Sequence, residues 1–242
     1  LPAPALLHFE EYLYGGFDKQ YPDHLPPNAT FGTSAEFTNF LAQARQRNHL
    51  TMPYTNPTFW GVDPKGPTFL ATNDAPLLVN PDGTYNYEEY FGAGGMTVTP
   101  WHPAVQAANR HTRNQFLTNY PVDVLFQDQV GARTWQYDLN PASPNLLAYI
   151  GGVVAIAAED SQLMPVSTEN GWDHLINHEA QFSGLAWGLA PTTNAPFWRR
   201  YLRERYAPST WEVFPLAQYL AHDKVAFIYN NLSAAVHNHE VM

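Results

Sequence analysis

Strand and helix signals alternate along this chain of 242 residues, and that alternation limits the possible folds more than any other feature. Residues 6–12 read as a buried strand ending in the acids Glu10 and Glu11. Thr33, with Glu36 three residues on, is a capping-box signal. Phe37, Phe40, Leu41 and Ala44 then keep the i, i+3, i+4, i+7 spacing of an amphipathic helix. Residues 49–54 read as a second strand, closed by Asn56-Pro57, and residues 96–99 as a third. Pro103 suits a helix first turn, and 104–117 follow as that helix. The clearest strand is 122–129. Pro144 then opens a helix whose apolar face includes Leu147, Ile150, Val153 and Ala157. A strand over 163–168 ends at Glu169, and a helix is expected over 172–182, closed near Gly184. Residues 211–216 suggest a strand, and 225–229 a strand or a helix.

Such alternation argues for parallel strands joined by crossover helices. The expected fold is α/β: one catalytic domain over 1–242, built as a TIM-type (β/α)8 barrel, a fold that runs to about 250 residues. A doubly wound open sheet is the alternative, but no Gly-rich phosphate loop follows a strand. Only six or seven strands are readable. Either one more lies within 185–210, or the barrel is incomplete and continues beyond Met242. Residues 57–94 carry Pro, Gly, Asp and Tyr with little periodicity, and read as an irregular insertion.

Composition narrows the chemistry. Apolar residues make up 45% of the chain, enough to exclude disorder as its main state. The longest apolar run, 146–158, is too short to span a bilayer, so no membrane association is expected. Twelve cations against 22 acids give a net charge of −10, with no basic cluster for a nucleic-acid backbone. The absence of Cys excludes thiol catalysis and zinc–thiolate sites. No Gly-x-Ser-x-Gly elbow supports a serine nucleophile. Few lysines, many aromatics and acidic charge together suit a secreted protein of the extracellular space or periplasm.

Catalytic groups of a barrel sit at the carboxyl ends of its strands. Val124, Phe126 and Asp128 alternate onto one face, with the acid last, and Pro165, Ser167 and Glu169 repeat that layout on the next strand. A carboxylate just past an apolar strand costs desolvation energy unless it has partners or a task. Neighbouring strands lie about 4.8 Å apart, so two such acids can face one substrate. Glycoside hydrolysis needs that arrangement: one carboxylate attacks or activates water, and the other protonates the leaving oxygen. The competing reading is a pair of surface acids or helix caps.

The stretch Tyr12 to Asp18 with Tyr21-Pro22-Asp23, the turn Met52 to Pro57, and Val122 to Gln129 resemble strand ends of bacterial glycoside-hydrolase-like barrels. The order of an Asp on strand four and a Glu on strand five is similar to the alpha-amylase superfamily. That resemblance implies Asp128 as nucleophile and Glu169 as acid/base, with retention of configuration. It departs from the amylases in having Phe126 where an Arg stands two residues before the nucleophile, and in lacking a third catalytic Asp.

Other strand ends supply candidate carbohydrate contacts. Glu10, Asp18, Tyr54 and Asn56 offer hydrogen bonds to sugar hydroxyls. Trp60, Trp101 and Trp172 offer rings for stacking, against the alternative of core packing. His102 can line the pocket, as can His8. Arg133 can touch substrate, pair with Asp128 or form an ordinary ion pair. His174 and His178, four apart on the expected helix, and the Asp74, Asn80, Asp82 region give only weak metal signals. No metal or cofactor is expected. Two further functions stay open: a non-catalytic carbohydrate-binding barrel, and a metal-dependent hydrolase using His8, His102 and a carboxylate.

Overall fold

The structure is a computed structural model and describes residues 3–133, 135–185 and 216–229. The helices form where the sequence places their caps. Helix α1 (Ser34–Gln46) begins at Thr33, whose Oγ1 accepts from the Glu36 amide while the Glu36 carboxylate accepts from the Thr33 amide. Helix α3 (Pro103–Thr118) starts with Pro103 in its first turn, and His102 caps it. Helix α4 (Ala148–Asp160) starts four residues after Pro144, since 145–147 form a turn first.

Six strands form one parallel sheet: β1 (Leu6–Phe9), β2 (Leu50–Thr55), β6 (Leu125–Gln127), β7 (Val166–Glu169), β8 (Gln181–Leu185) and β9 (Ala226–Tyr229). Their order across the sheet is their order in the chain. A doubly wound sheet reverses direction at a switch point; this one never reverses, and it curls as a half-barrel. The α/β barrel expectation therefore stands, with six strands of the barrel among the described residues.

Three local expectations are corrected. Residues 96–99 do not extend the parallel sheet. They belong to β5 (Ala93–Thr97) and the residues beyond it; β5 pairs antiparallel with β3 (Phe59–Gly61) and β4 (Tyr87–Tyr90). The segment 57–94 is accordingly a folded excursion, which also holds the short helix α2 (Pro67–Thr72). The helix expected over 172–182 is a 3-10 turn at Asp173–Leu175 followed by β8, because Ala180 and Gln181 bond into the sheet. The strand expected over 211–216 falls outside the described residues apart from Leu216, which begins α5 (Leu216–Ala221).

Parallel register assigns the two faces of the sheet. Tyr54, Phe126, Ser167 and Gln181 pair across it and share one face. Thr55, Gln127, Thr168 and Phe182 share the other. Gln127 donates to the fully buried Asp160 of α4 at 2.6 Å, so its face is the helix side. Asp160 also accepts from Arg113 (2.7 Å) and Asn109 (2.8 Å) of α3. A buried carboxylate is stable only with such partners, and this one fastens both helices behind β6.

Candidate active site

At the strand ends the inner face continues to Asn56 and Asp128, each just past its strand, and to Glu169, the last residue of β7. Asp128 donates its amide to the Thr55 carbonyl at 2.7 Å, and Asn170 donates to Ser183 at 2.7 Å. Gln129 and Asn170, each directly after its acid, turn left-handed (φ 64° and 56°). The chain thus leaves both strands abruptly and leaves each carboxyl at the rim. Asp18, in the loop after β1, has φ 56°. Non-glycine residues in this region cluster where function requires a fixed geometry.

The carboxyls are electrostatically coupled. Burial, and then the charge of Glu169, pushes Asp128 up to about 8. Burial also raises Glu169, while Arg133 opposes the rise. Asp18 is pushed to about 6, mainly by burial, with the Tyr21 and Tyr54 hydroxyls opposing and the charges of Glu10 and Glu169 adding. Such a group of acids gives up its protons stepwise, so near neutrality Asp128 and Glu169 together retain a proton.

Neighbouring side chains hold the acids in place. Asn56 Nδ2 donates to Asp128 Oδ2 at 3.3 Å and to Gln129 Oε1 at 2.9 Å. Its own oxygen accepts from the Thr58 amide and hydroxyl, which fixes the amide orientation. The Tyr54 hydroxyl faces Asp128 and Asp18, and its backbone carbonyl accepts from the Tyr12 hydroxyl at 2.6 Å. Asp18 and the Tyr21 hydroxyl lie buried beside each other, and that hydroxyl favours the charged form of Asp18.

Arg133 neither pairs with Asp128 nor forms an exposed ion pair. It grips Glu88 of β4 with two nitrogens (2.5 and 3.0 Å), and its remaining contacts go to Gln129 (2.6 Å) and Thr58 (3.1 Å). It is buried, and it ties the antiparallel excursion to the loop after Asp128.

The other candidates divide. Glu10 is exposed, and its charge reaches Asp18. Trp60 is 1% exposed and packs against Phe69 in the core, so it cannot stack on a sugar. The Trp101 indole donates to Asp138 at 2.6 Å, and His102 Nδ1 accepts from the Ala104 amide as the cap of α3. Trp172 is half-buried against His174, three residues beyond Glu169. His8 packs its ring edge-on to Phe126. Since 172–182 is no helix, His174 and His178 lose the spacing that could have faced a metal. Among the described residues no group of three or more His, Asp or Glu side chains is placed to hold a metal ion.

Glu88 and Tyr90 were not legible as site residues. They alternate onto one side of β4, and Tyr90 feels the charges of Glu88, Asp128 and Glu169. The Tyr-Glu-Glu-Tyr run is the only sequence hint, and it lies inside a segment without periodicity.

No family model matches the sequence, and no curated protein does. Solved structures do share the fold. An alpha-N-acetylgalactosaminidase from Bifidobacterium bifidum, bound to GalNAc, superimposes with a TM-score of 0.73 at 14% identity, over 92% of this chain and 34% of that one. An alpha-galactosidase from Thermus thermophilus, bound to p-nitrophenyl alpha-D-galactopyranoside, superimposes with a TM-score of 0.53 at 11% identity, over 81% of this chain and 38% of that one. The chain spans about a third of the length of these structures. Its fold is that of the glycoside-hydrolase barrels.

Proposed function

We propose that this protein is a retaining glycosidase in which Asp128 is the nucleophile and Glu169 the acid/base. The observation that carries this reading is the pair itself. Two carboxyls end adjacent parallel strands on one face, and each is pushed up in pKa, Asp128 partly by its neighbour's charge. Near neutrality the pair therefore supplies one proton donor and one carboxylate, which hydrolysis of an acetal requires.

The first step starts from the form in which the pair's shared proton stands on Glu169, and the ionised Asp128 attacks the anomeric carbon. The bond to the leaving oxygen breaks, and Glu169 gives that oxygen its proton. In the second step Glu169 takes a proton from water, and the resulting hydroxide displaces Asp128 with a second inversion. Asn56 and Tyr54 hold the Asp128 carboxyl in line for attack. Asp18 accepts hydrogen bonds from hydroxyls of the bound sugar.

The solved structures of similar fold act on alpha-linked galactose and N-acetylgalactosamine, so alpha-galactosides and alpha-N-acetylgalactosaminides are the first substrates to test. Hydrolysis of their p-nitrophenyl glycosides should be measurable, and Asp128→Asn or Glu169→Gln should lower it by about 10²–10⁴-fold with the fold intact. Sugar binding without hydrolysis would instead favour a carbohydrate-binding module. Normal turnover by either variant would contradict that residue's role.

A further inference from the structure

The β4–β5 hairpin turns through Phe91 and Gly92, both left-handed (φ 50° and 76°). A two-residue turn of this kind favours Asn-Gly. Phenylalanine there is an outlier among L residues. Phe91 is also 92% exposed, so packing does not repay the strain. A strained, exposed, bulky residue suggests a role other than folding.

Its surroundings indicate the role. The Phe91 ring meets that of Phe17 at 6.0 Å, and Phe17 meets Tyr54 at 5.1 Å. Tyr54 stands beside Asp128 and Asp18. A row of rings therefore runs from the acids to the hairpin tip. Tyr90, next to Phe91 in the hairpin, packs on Phe59 outside that row and feels the charges of Asp128 and Glu169. The hairpin keeps its place because Glu88 is held by Arg133. Carbohydrate sites are lined by aromatic faces with a few polar groups, and this row has both.

We propose that Phe91, with Phe17 and Tyr90, forms a second sugar subsite, which holds the residue on the leaving-group side of the bond cleaved at Asp128 and Glu169. It rests on the glycosidase reading and extends it: the substrate is a carbohydrate chain, not only a terminal sugar on an arbitrary leaving group.

The test compares long and short probes on the same protein. The short probes are alpha-galactosyl fluoride and alpha-N-acetylgalactosaminyl fluoride, whose leaving group occupies no subsite. The long probes are melibiose and the disaccharide alpha-N-acetylgalactosaminyl-(1→3)-galactose. Phe91→Asn relieves the turn, so its melting temperature should be unchanged or raised. Its kcat/KM should fall about tenfold on the cleaved disaccharide and less than twofold on the matching fluoride. Phe91→Ala should show the same split. An equal effect on both probes, or no effect on either, would overturn the subsite while leaving the glycosidase reading intact. No turnover of any probe by the unsubstituted protein would overturn both.

Discussion

A Cβ placed on Gly131 would lie 2.6 Å from the carbonyl oxygen of Glu169. The loop that follows Asp128 therefore rests directly on the strand end that carries the second acid. The Gly131 amide donates to Thr168 Oγ1 at 2.6 Å, and that hydroxyl donates to the Gln127 carbonyl at 2.9 Å. Backbone contact thus sets the spacing of the two carboxyls. Gly131→Ala should push the strand ends apart and lower kcat by about 10²-fold, since misplacement by about 1 Å has that effect. Steady-state kinetics beside a thermal melt would check it. A fully active Gly131→Ala protein would show that this contact does not set the spacing.

Asp128 should make the protein less stable as pH rises. Its carboxyl titrates at about 8 in the folded state, owing to burial and then the charge of Glu169. In the unfolded chain an Asp ionises near pH ~4. Between those values the folded state holds the extra proton, so stability falls with increasing pH. Asp128→Asn removes this dependence. At pH 8 the variant should be more stable than the parent by roughly 2 kcal/mol, allowing for relaxation and water entry, and at pH 4 the two should melt alike. A constant offset at both pH values would contradict the buried proton.

Arg133 should set the alkaline limb of activity. Its charge opposes the burial that raises Glu169. In Arg133→Gln the Glu169 proton should persist to higher pH, so the descending limb of kcat/KM should move upward. The same variant leaves Glu88 without its cation, at a cost of about 3–5 kcal/mol. The double variant Glu88→Gln/Arg133→Gln should recover much of that stability while keeping the shifted limb. Recovery of stability with an unmoved limb would limit Arg133 to holding the hairpin.

Trp60 and Trp172 should behave differently when truncated. Trp60→Ala empties a core position and should cost about 3–5 kcal/mol, with little change in KM for the protein that remains folded. Trp172→Ala should affect KM more than stability. Denaturant melts and KM values for both variants would check this, and a selective KM effect at Trp60 would contradict its core placement.

The parts of the fold visible in the sequence were those with a local cause. The Thr33–Glu36 box, Pro103 and the apolar face of α4 each act within a few residues of their own position. The two acids were visible because strand alternation carries Asp128, just past β6, and Glu169, the last residue of β7, onto one face. The 172–182 segment misled because His174 and His178 stand four apart, a helical spacing, while the sheet bonds that make 181–185 a strand come from β7 and β9. Residues 96–99 misled for the same reason, as their partners are 59–61 and 87–90. That error also fed the count of strands. Within this sheet Asp128 and Glu169 follow the third and fourth strands, not the fourth and fifth. The role of Glu88 could not be read, because its partner Arg133 lies 45 residues away across two sheets.

The roles of the two acids are tested most directly by azide rescue of Asp128→Ala and Glu169→Ala, with the glycosyl fluoride that the parent protein cleaves. Without its nucleophile, Asp128→Ala should form the glycosyl azide of inverted configuration, since azide attacks the substrate once. Glu169→Ala still forms the covalent intermediate, so its azide product should retain configuration. Opposite products from the two variants are the predicted result. The same configuration from both, or unimpaired hydrolysis without azide, would contradict Asp128 as nucleophile and Glu169 as acid/base.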